Sequence, residues 1–289
     1  MNSSIFIPKE KLKNFMKDGS MNHQYGIQVY GLADRAHLQS LVPEPLHVPA
    51  FRNDGHEQGM VYIYIVNIRE PTFCPWYMEG GVGILTEFNG MTGVHFIGLQ
   101  LSGPGALMGM CSGRESSGLP KKMCETIHVE RNGDTGHCYI ERGGVRLLDV
   151  KTKIGEYNDP VMHTVSGAQE SCSPDNPVIG EGGCLLFKSS KDKEWFEKLD
   201  MVYYDSFTRF TQWDPLTAEV ILKSTPDDPW GELMIEDVLG GGWMVSDNGV
   251  RSVTPVYSYP KDQALEAMQY LFTGRYDQCT LMKDHQIYE

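Results

Sequence analysis

The sequence has little positive charge, and it has no long apolar run. Across 289 residues, 25 Lys and Arg stand against 38 Asp and Glu, which gives a formal net charge of −13. This negative field repels phosphate backbones and anionic membrane surfaces, so we expect no nucleic-acid partner. No segment approaches the roughly 20 apolar residues that a membrane-spanning helix needs, so we expect no membrane partner either.

Paired cysteines are also lacking. The seven cysteines are an odd number, and no two of them form a CxxC pair. This spacing disfavours a disulfide framework and a zinc ribbon, and we predict no metal site. The N-terminal segment has no uninterrupted apolar stretch of the kind found in a signal peptide. We therefore expect reduced thiols and a cytoplasmic location.

Short β-favouring runs dominate what is present. They are separated by turn residues such as Asn89-Gly90, and 31 glycines are spread along the chain. A short helix after Asp34, residues 191–199 and Lys261–Leu271 are the main segments with a helical pattern. This pattern predicts a mainly β (α+β) fold, an antiparallel barrel-like sheet with a few peripheral helices. No linker or repeat is found, so we expect a single domain over residues 1–289, with residues 1–20 as a loose N-terminal arm.

Motifs for nucleotide cofactors and for serine nucleophiles are missing. The glycines around Gly103 do not form a GxGxxG, and no GxSxG occurs. The run from Gly240 to Trp243 is interpreted as a glycine-rich turn anchored by a core tryptophan. We therefore predict that the protein uses no cofactor.

Two adjacent lysines, Lys121 and Lys122, are unusual in so acidic a chain. Pro120 favours an extended backbone before them, and neighbouring residues on a strand point to opposite faces. At most one of the two amines can therefore enter a given pocket. A buried, neutral lysine can attack a carbonyl and form a Schiff base, an electron sink for breaking or making a bond to the next carbon. A solvated Lys-Lys turn is the alternative interpretation.

The surroundings of this pair resemble the acetoacetate decarboxylase family. Gly113-Arg114-Glu115 followed by Gly118 to Lys122 is similar to the family's GRExxxxPKK signature. Residues 42–46 are similar to its VPEPL element, and Glu79 lies nine residues before an FNG turn, as in the family. The resemblance covers roughly residues 25–125. It implies a β-barrel-based fold that buries a reactive lysine in a cavity, and usually a homo-oligomer.

The resemblance also implies roles for single residues. Lys121 corresponds to the Schiff-base lysine, Lys122 to its neighbour and Glu79 to the active-site glutamate, and these are the candidate catalytic residues. Two positions depart from the family pattern, because Tyr64 stands where decarboxylases have a second glutamate and Gln24 where they have an arginine. The candidate substrate-binding residues are Tyr64, Arg114 and Glu115.

Three functions are consistent with these residues. The first is a cofactor-free lyase (carboxy-lyase) that decarboxylates acetoacetate or a related β-keto acid through an iminium on Lys121. The second is an aldolase-dehydratase that joins a 2-keto acid to an aldehyde through the same lysine, with Tyr64 as proton donor. A barrel that binds a small ligand without catalysis is an alternative of another class. Arg114 is a candidate for binding a carboxylate, or else forms a structural ion pair with an acid such as Glu115.

Overall fold

The computed structural model describes residues 7–11, 20–53, 55–190, 198–278 and 281. Strands make up most of this part of the chain. They are β1 (Met21–Asp34), β2 (Arg52–Asn53), β3 (Glu57–Pro71), β4 (Tyr77–Phe88), β5 (Met91–Ser102), β6 (Lys121–Met123), β7 (Thr126–Asn132), β8 (Thr135–Arg142), β9 (Val145–Ile154), β10 (Val178–Ser190), β11 (Lys198–Leu222) and β12 (Asp237–Ser258).

The helices are short and lie between strands or after them. They are α1 (Arg35–Ser40), α2 (Ala106–Ser112), α3 (Met162–Glu170) and α4 (Lys261–Leu271), with a π-helical turn at Gly113–Ser117 and a 3-10 turn at Trp230–Leu233. Helix α1 begins where the sequence predicts, because the Asp34 side chain accepts a hydrogen bond from the His37 backbone N–H at 2.6 Å. None of the helices in the described ranges is long and apolar enough to cross a membrane.

The main sheet closes on itself. Strands β10, β5, β4, β3, β1, β12 and β11 follow one another, and β10 also pairs with β11 to complete a ring. Strands β9, β8 and β7 continue outward from β11, while β6 pairs in parallel with β5. The link between β10 and β5 is one parallel pair, Cys184 opposite Val94. The ring is therefore barrel-like without being a regular barrel, and the predicted mainly β fold is confirmed.

Alternation along the strands divides the interior into two faces. On β3, Val61, Ile63 and Ile65 point into one fully buried cluster. Tyr62 and Tyr64 between them point the other way, into a second cluster inside the ring. The first face is a packed core, and the second surrounds the cavity described below.

Several predicted elements were wrong or incomplete. The glycines from Gly240 to Gly242 are not a turn but lie inside β12, although Trp243 is fully buried as expected. A side chain at Gly241 would meet the Gln28 carbonyl oxygen at 1.8 Å, so the glycines let the strands approach. Helices α2 and α3 were not predicted. The predicted helix at residues 191–199 lies largely outside the described residues, and its last two residues belong to β11.

Candidate active site

Lys121 belongs to a row of residues that crosses the sheet. Lys121 pairs with Leu99 on β5, and Leu99 pairs with Gly81 on β4. The row continues from Gly81 to Tyr64 on β3, and from Tyr64 to Gln28 on β1. Directly paired residues project from the same face of a sheet. Gly81 has no side chain, and the Leu99 side chain lies over it, since a Cβ at Gly81 would be 2.8 Å from Leu99 Cδ2. The row therefore places Lys121, Tyr64 and Gln28 on the one face of the sheet that borders the cavity.

The backbone before Lys121 is shaped by two glycines. Gly113 packs against the lysine side chain, and a Cβ there would lie 2.9 Å from Lys121 Cε and 3.1 Å from Nζ. Gly118 ends the π-helical turn with φ of 77°, and a side chain at Gly118 would lie 2.2 Å from the Phe187 carbonyl oxygen. The GRExxGLPKK segment is therefore a loop whose backbone places the Lys121 side chain inside the ring.

Lys121, Glu79 and Tyr64 form one buried cluster. Lys121 Nζ lies 2.6 Å from Glu79 Oε2, and both side chains are almost fully buried. The Tyr64 hydroxyl donates a hydrogen bond to the other carboxylate oxygen, Glu79 Oε1. Each oxygen of the Glu79 carboxylate thus has its own partner. The cluster brings together an amine, a carboxylate and a phenol within reach of one substrate.

The cluster lines a cavity of about 710 Å³ inside the ring. This lies in the upper part of the roughly 300–1,000 Å³ range of small-molecule pockets. Among the described lining residues, Lys121 is the only lysine or arginine, while the carboxylates are Glu79 and Glu181. Aromatic side chains form much of the wall; they are Tyr30, Tyr62, Tyr64, Phe73, Phe96, Tyr204 and Phe210.

Burial keeps the tyrosine phenols and the cysteine thiol of the cavity wall neutral. Burial raises the pKa of Tyr64 well above its usual value, and the charge and hydrogen bond of Glu79 add to this shift. Burial likewise raises the pKa of Tyr30 to about 12 and that of the Cys184 thiol to about 12. At neutral pH the phenols are therefore proton donors and the thiol is not a nucleophile.

Lys122 points to the opposite face of β6, away from the cavity. Its Nζ lies 2.8 Å from Asp228 Oδ1, 3.2 Å from Asp277 Oδ1 and 2.7 Å from the carbonyl oxygen of Asp227. Arg142 pairs with both carboxylates, at 2.6 Å from Asp228 and 2.7 Å from Asp277. The expectation that only one of the two lysines enters the pocket agrees with this geometry. The structure gives Lys122 no contact with the cavity, which argues against its placement among the catalytic residues.

Arg114 and Glu115 do not lie where a substrate-binding role requires. Neither residue lines the cavity, and Glu115 is exposed on the π-helical turn. Arg114 is half-buried, lies 3.5 Å from the Lys121 carbonyl oxygen and stands 5.3 Å above the Tyr276 ring. Arg114 thus contacts the backbone of Lys121 outside the cavity. The structure supports neither Arg114 nor Glu115 as a substrate contact.

Residues 272–278, the C-terminal strap, brace the same loop. Arg275 donates hydrogen bonds to the carbonyl oxygens of Gly118 and Phe187. Asp277 binds Lys122 and Arg142, and Tyr276 packs beneath Arg114. The loop that carries Lys121 is therefore fixed on its outer side by residues more than 150 positions away in the chain.

Two glutamines on β1 complete the cavity wall. Gln24 lines the cavity and accepts a hydrogen bond from Ser246 Oγ at 3.4 Å. Gln28 lines it four residues further on, next to Tyr64. Gln24 was noted through the resemblance to the family, whereas Gln28 was not predicted from the sequence. The available signal was alternation, since Gln24, Gln28 and Tyr30 fall on one face of a strand whose other face is apolar.

The sequence as a whole matches a known family model. The model for acetoacetate decarboxylase matches residues 7–260. The chain belongs to the acetoacetate decarboxylase family. The resemblance found in the GRExxGLPKK, VPEPL and Glu79 elements is thereby confirmed, and it extends well beyond residues 25–125.

Relatives in this family carry names for different reactions. A protein of Lactiplantibacillus plantarum named "CLA biosynthesis isomerase" is 32% identical in an alignment of 281 residues that covers 95% of this chain and 95% of the other. The crystal structure of acetoacetate decarboxylase from Legionella pneumophila matches with a TM-score of 0.66 and 13% identity, over 83% of this chain and 87% of the other.

A third match is the enduracididine biosynthesis enzyme MppR, solved with the condensation product of pyruvate and imidazole 4-carboxaldehyde. It has a TM-score of 0.57 and 14% identity, over 82% of this chain and 87% of the other. Both solved structures show that the fold is shared. Members of the family are enzymes, and their names include decarboxylases and an isomerase.

Proposed function

We propose that the protein is an enzyme that activates a substrate ketone as an imine on Lys121 and moves a proton between nearby carbon atoms. The overall reaction that we propose is migration of a double bond in an unsaturated ketone, from the β,γ to the α,β position. The observation that carries this proposal is the Lys121–Glu79–Tyr64 cluster, set in the wall of a large cavity whose described lining residues include no second lysine or arginine.

The first step is imine formation. The amine must be neutral to attack a carbonyl carbon, and Glu79 Oε2, 2.6 Å from Nζ, is placed to accept the ammonium proton. Attack gives a carbinolamine, and loss of its hydroxyl as water leaves an iminium ion on Lys121. The Tyr64 phenol, which its raised pKa keeps protonated at neutral pH, donates the proton for this departure and takes one back from Glu79 through their hydrogen bond, so that Glu79 is again a carboxylate.

The second step is proton transfer at carbon. The iminium withdraws electrons from the neighbouring carbon, so the Glu79 carboxylate can remove a proton there, and the electron pair forms a dienamine. Return of the proton to the far end of the diene places the double bond next to the iminium. Water then releases the conjugated ketone and regenerates the Lys121 amine. Substrate and product are isomers, so no oxidant or other reactant is needed.

The charges of the cavity favour this reaction over decarboxylation of a small keto acid. A β-keto acid carries a carboxylate close to its ketone, and that carboxylate has no lysine or arginine to bind it in the described lining apart from Lys121 itself. It also meets the negative charge of Glu79. The volume of about 710 Å³ and the aromatic wall suit a larger, apolar ketone. A relative that aligns over 95% of this chain is named an isomerase, and isomerisation is the class of reaction proposed here.

Decarboxylation of a β-keto acid is the second candidate. It uses the same iminium as electron sink, and the matching family model is named for it. Aldol condensation through the same lysine is supported by the condensation product bound to MppR. In both reactions Glu79 and Tyr64 keep the task of moving protons.

The experiment that tests the proposal compares two substrates. A straight-chain β,γ-unsaturated methyl ketone is followed by the ultraviolet absorbance of the conjugated product, and acetoacetate is followed by carbon dioxide release. We expect conjugated ketone from the wild-type protein and from Lys122→Met, and none from Lys121→Met. Carbon dioxide from acetoacetate without conjugated ketone would overturn the proposal in favour of decarboxylation. Activity on neither substrate would contradict both and favour a ligand-binding protein.

A further inference from the structure

Gln28 is a buried side chain whose hydrogen-bonding groups no other described residue uses. It is 9% exposed and lines the cavity. Its carboxamide makes no hydrogen bond to any other residue of the described ranges. A carboxamide carries two N–H donors and a carbonyl acceptor, and in Gln28 these groups are open to the cavity, where a ligand can bond to them.

Other buried glutamines of the chain show what a structural role looks like. Gln100 Nε2 donates to Asp228 Oδ1 at 2.8 Å. Gln58 Nε2 donates to Glu236 Oε2 at 2.7 Å. Gln24, on the same strand as Gln28, is bonded to Ser246. Gln28 differs from all three because its amide faces only the cavity.

The position of Gln28 relates it to the reacting centre. It lies directly opposite Tyr64 in the pairing of β1 with β3, so the two side chains leave the same face of the sheet. Adjacent strands are about 4.8 Å apart, so Gln28 lies one strand spacing beyond Tyr64 as seen from Lys121. A ketone held at Lys121 therefore extends past Tyr64 before it reaches this amide.

We propose that Gln28 forms a subsite for a hydroxyl group on the substrate, separate from the ketone that reacts with Lys121. A hydroxyl both donates and accepts, so it satisfies the amide N–H and the carbonyl oxygen of Gln28 together. A carboxylate fits poorly, because it only accepts and because no cation of the described lining stands beside Gln28. The phenols of Tyr30, Tyr62 and Tyr64 around it remain neutral, which suits an uncharged group. This subsite rests on the proposed function in so far as the ketone end is anchored at Lys121.

The test uses a panel of straight-chain methyl ketones of one length. One member is unsubstituted, and the others carry a single hydroxyl at successive carbons. Binding to wild type, Gln28→Leu and Lys121→Met is measured by calorimetry, and imine formation is measured separately by borohydride trapping. Leucine is close to glutamine in size and cannot hydrogen-bond, so the variant removes the subsite without leaving a cavity.

We expect one or two hydroxy ketones of the panel to bind the wild type about five- to tenfold more tightly than the unsubstituted ketone, as one added hydrogen bond predicts. This ratio should fall to about one in Gln28→Leu and persist in Lys121→Met. A merely structural role for Gln28 would change the binding of all ketones alike and leave the ratio intact, which would overturn the proposal. So would a wild-type protein with no preference for any hydroxy ketone.

The two proposals fail in different ways. If Lys121 forms no imine, borohydride leaves no adduct, while the preference for a hydroxy ketone and its loss in Gln28→Leu remain. If the subsite is wrong, adducts form on Lys121 with every ketone of the panel, and Gln28→Leu does not alter the ratio.

Discussion

Lys121 and Lys122 are neighbours in sequence with opposite surroundings. Lys121 faces a cavity of about 710 Å³, and among the described residues its amine pairs with one carboxylate, that of Glu79. Lys122 faces packed protein and is held by Asp228, Asp277 and a backbone carbonyl. Both side chains are buried to a similar degree, 3% and 5% exposed. Burial alone therefore does not distinguish a reactive lysine from a structural one.

The difference lies in what the neighbours leave free. Around Lys122 every carboxylate is shared with Arg142, and the pKa of Asp277 is lowered because Arg142 and Lys122 outweigh the effect of burial. In that network the charges of Lys122 and Arg142 are paired with carboxylates. Around Lys121 one carboxylate bridges the amine and a phenol, and open space lies in front of them. This arrangement can exchange protons with a ligand.

Replacing each lysine by methionine should give the largest contrast. Lys121→Met should lower turnover of the unsaturated ketone roughly 10⁴-fold or more, as loss of a covalent nucleophile does. Lys122→Met should retain most of the turnover but lower the free energy of unfolding by about 2–3 kcal/mol, since Arg142 still pairs with the two carboxylates. Kinetics and denaturant unfolding on the same preparations measure both effects. Equal loss of turnover in the two variants would contradict the assignment of Lys121.

Neutralising the carboxylate beside each lysine should again separate loss of turnover at Lys121 from loss of stability at Lys122, with a smaller effect on turnover. Glu79→Gln should lower turnover by about 10²–10³-fold, because proton transfer at carbon loses its base. Asp228→Asn should instead lower the free energy of unfolding by about 3 kcal/mol, because it disrupts a buried network of Lys122, Arg142 and Gln100. Rate measurements and urea unfolding separate the two. A large loss of stability in Glu79→Gln with unchanged turnover would contradict this division.

The pH dependence of stability should come from the packed face. Burial lowers the pKa of His95 to about 4, against 6.5 for the ordinary group. Between these values the unfolded state takes up a proton that the folded state does not. Stability should therefore fall as the pH drops from 6.5 to 4, by about 1.4 kcal/mol per pH unit from this group. His95→Gln should show a correspondingly shallower decline in unfolding free energy, and an identical slope would contradict the assignment.

Removing the phenol should give the smallest effect on catalysis. Tyr64→Phe keeps the ring but cannot donate to Glu79, so turnover should fall by about tenfold to a hundredfold while imine trapping persists. The matched control is Tyr62→Phe, whose hydroxyl makes no hydrogen bond among the described residues. A larger loss in Tyr62→Phe than in Tyr64→Phe would contradict the role given to Tyr64.

Local sequence patterns were enough to predict part of the arrangement of the candidate site. Strand alternation placed Lys121 and Lys122 on opposite faces, the Asp34 cap placed α1, and the resemblance identified Glu79 and Tyr64. Contacts between residues far apart in the sequence could not be predicted from such local patterns. The partners of Lys122 are 106 and 155 positions away, at Asp228 and Asp277. Gln28 could not be recognised until the structure showed that its amide has no partner among the described residues.

Helix and turn predictions failed where tertiary contacts decide the backbone. Glycine clusters are typical of turns, but Gly240 to Gly242 lie in β12 because the adjacent strand and Trp213 leave no room for side chains. The predicted single domain, homo-oligomer and cytoplasmic location stay predictions.

Borohydride trapping followed by peptide mapping tests the central claim most directly. The wild-type protein is incubated with the unsaturated ketone and borohydride, and the modified lysine is identified by mass. The cavity and the Glu79 contact predict a single adduct on Lys121, with Lys122 unmodified. An adduct on Lys122, or equal labelling of both lysines, would contradict the claim that one face of β6 carries the reactive lysine and the other a structural lysine.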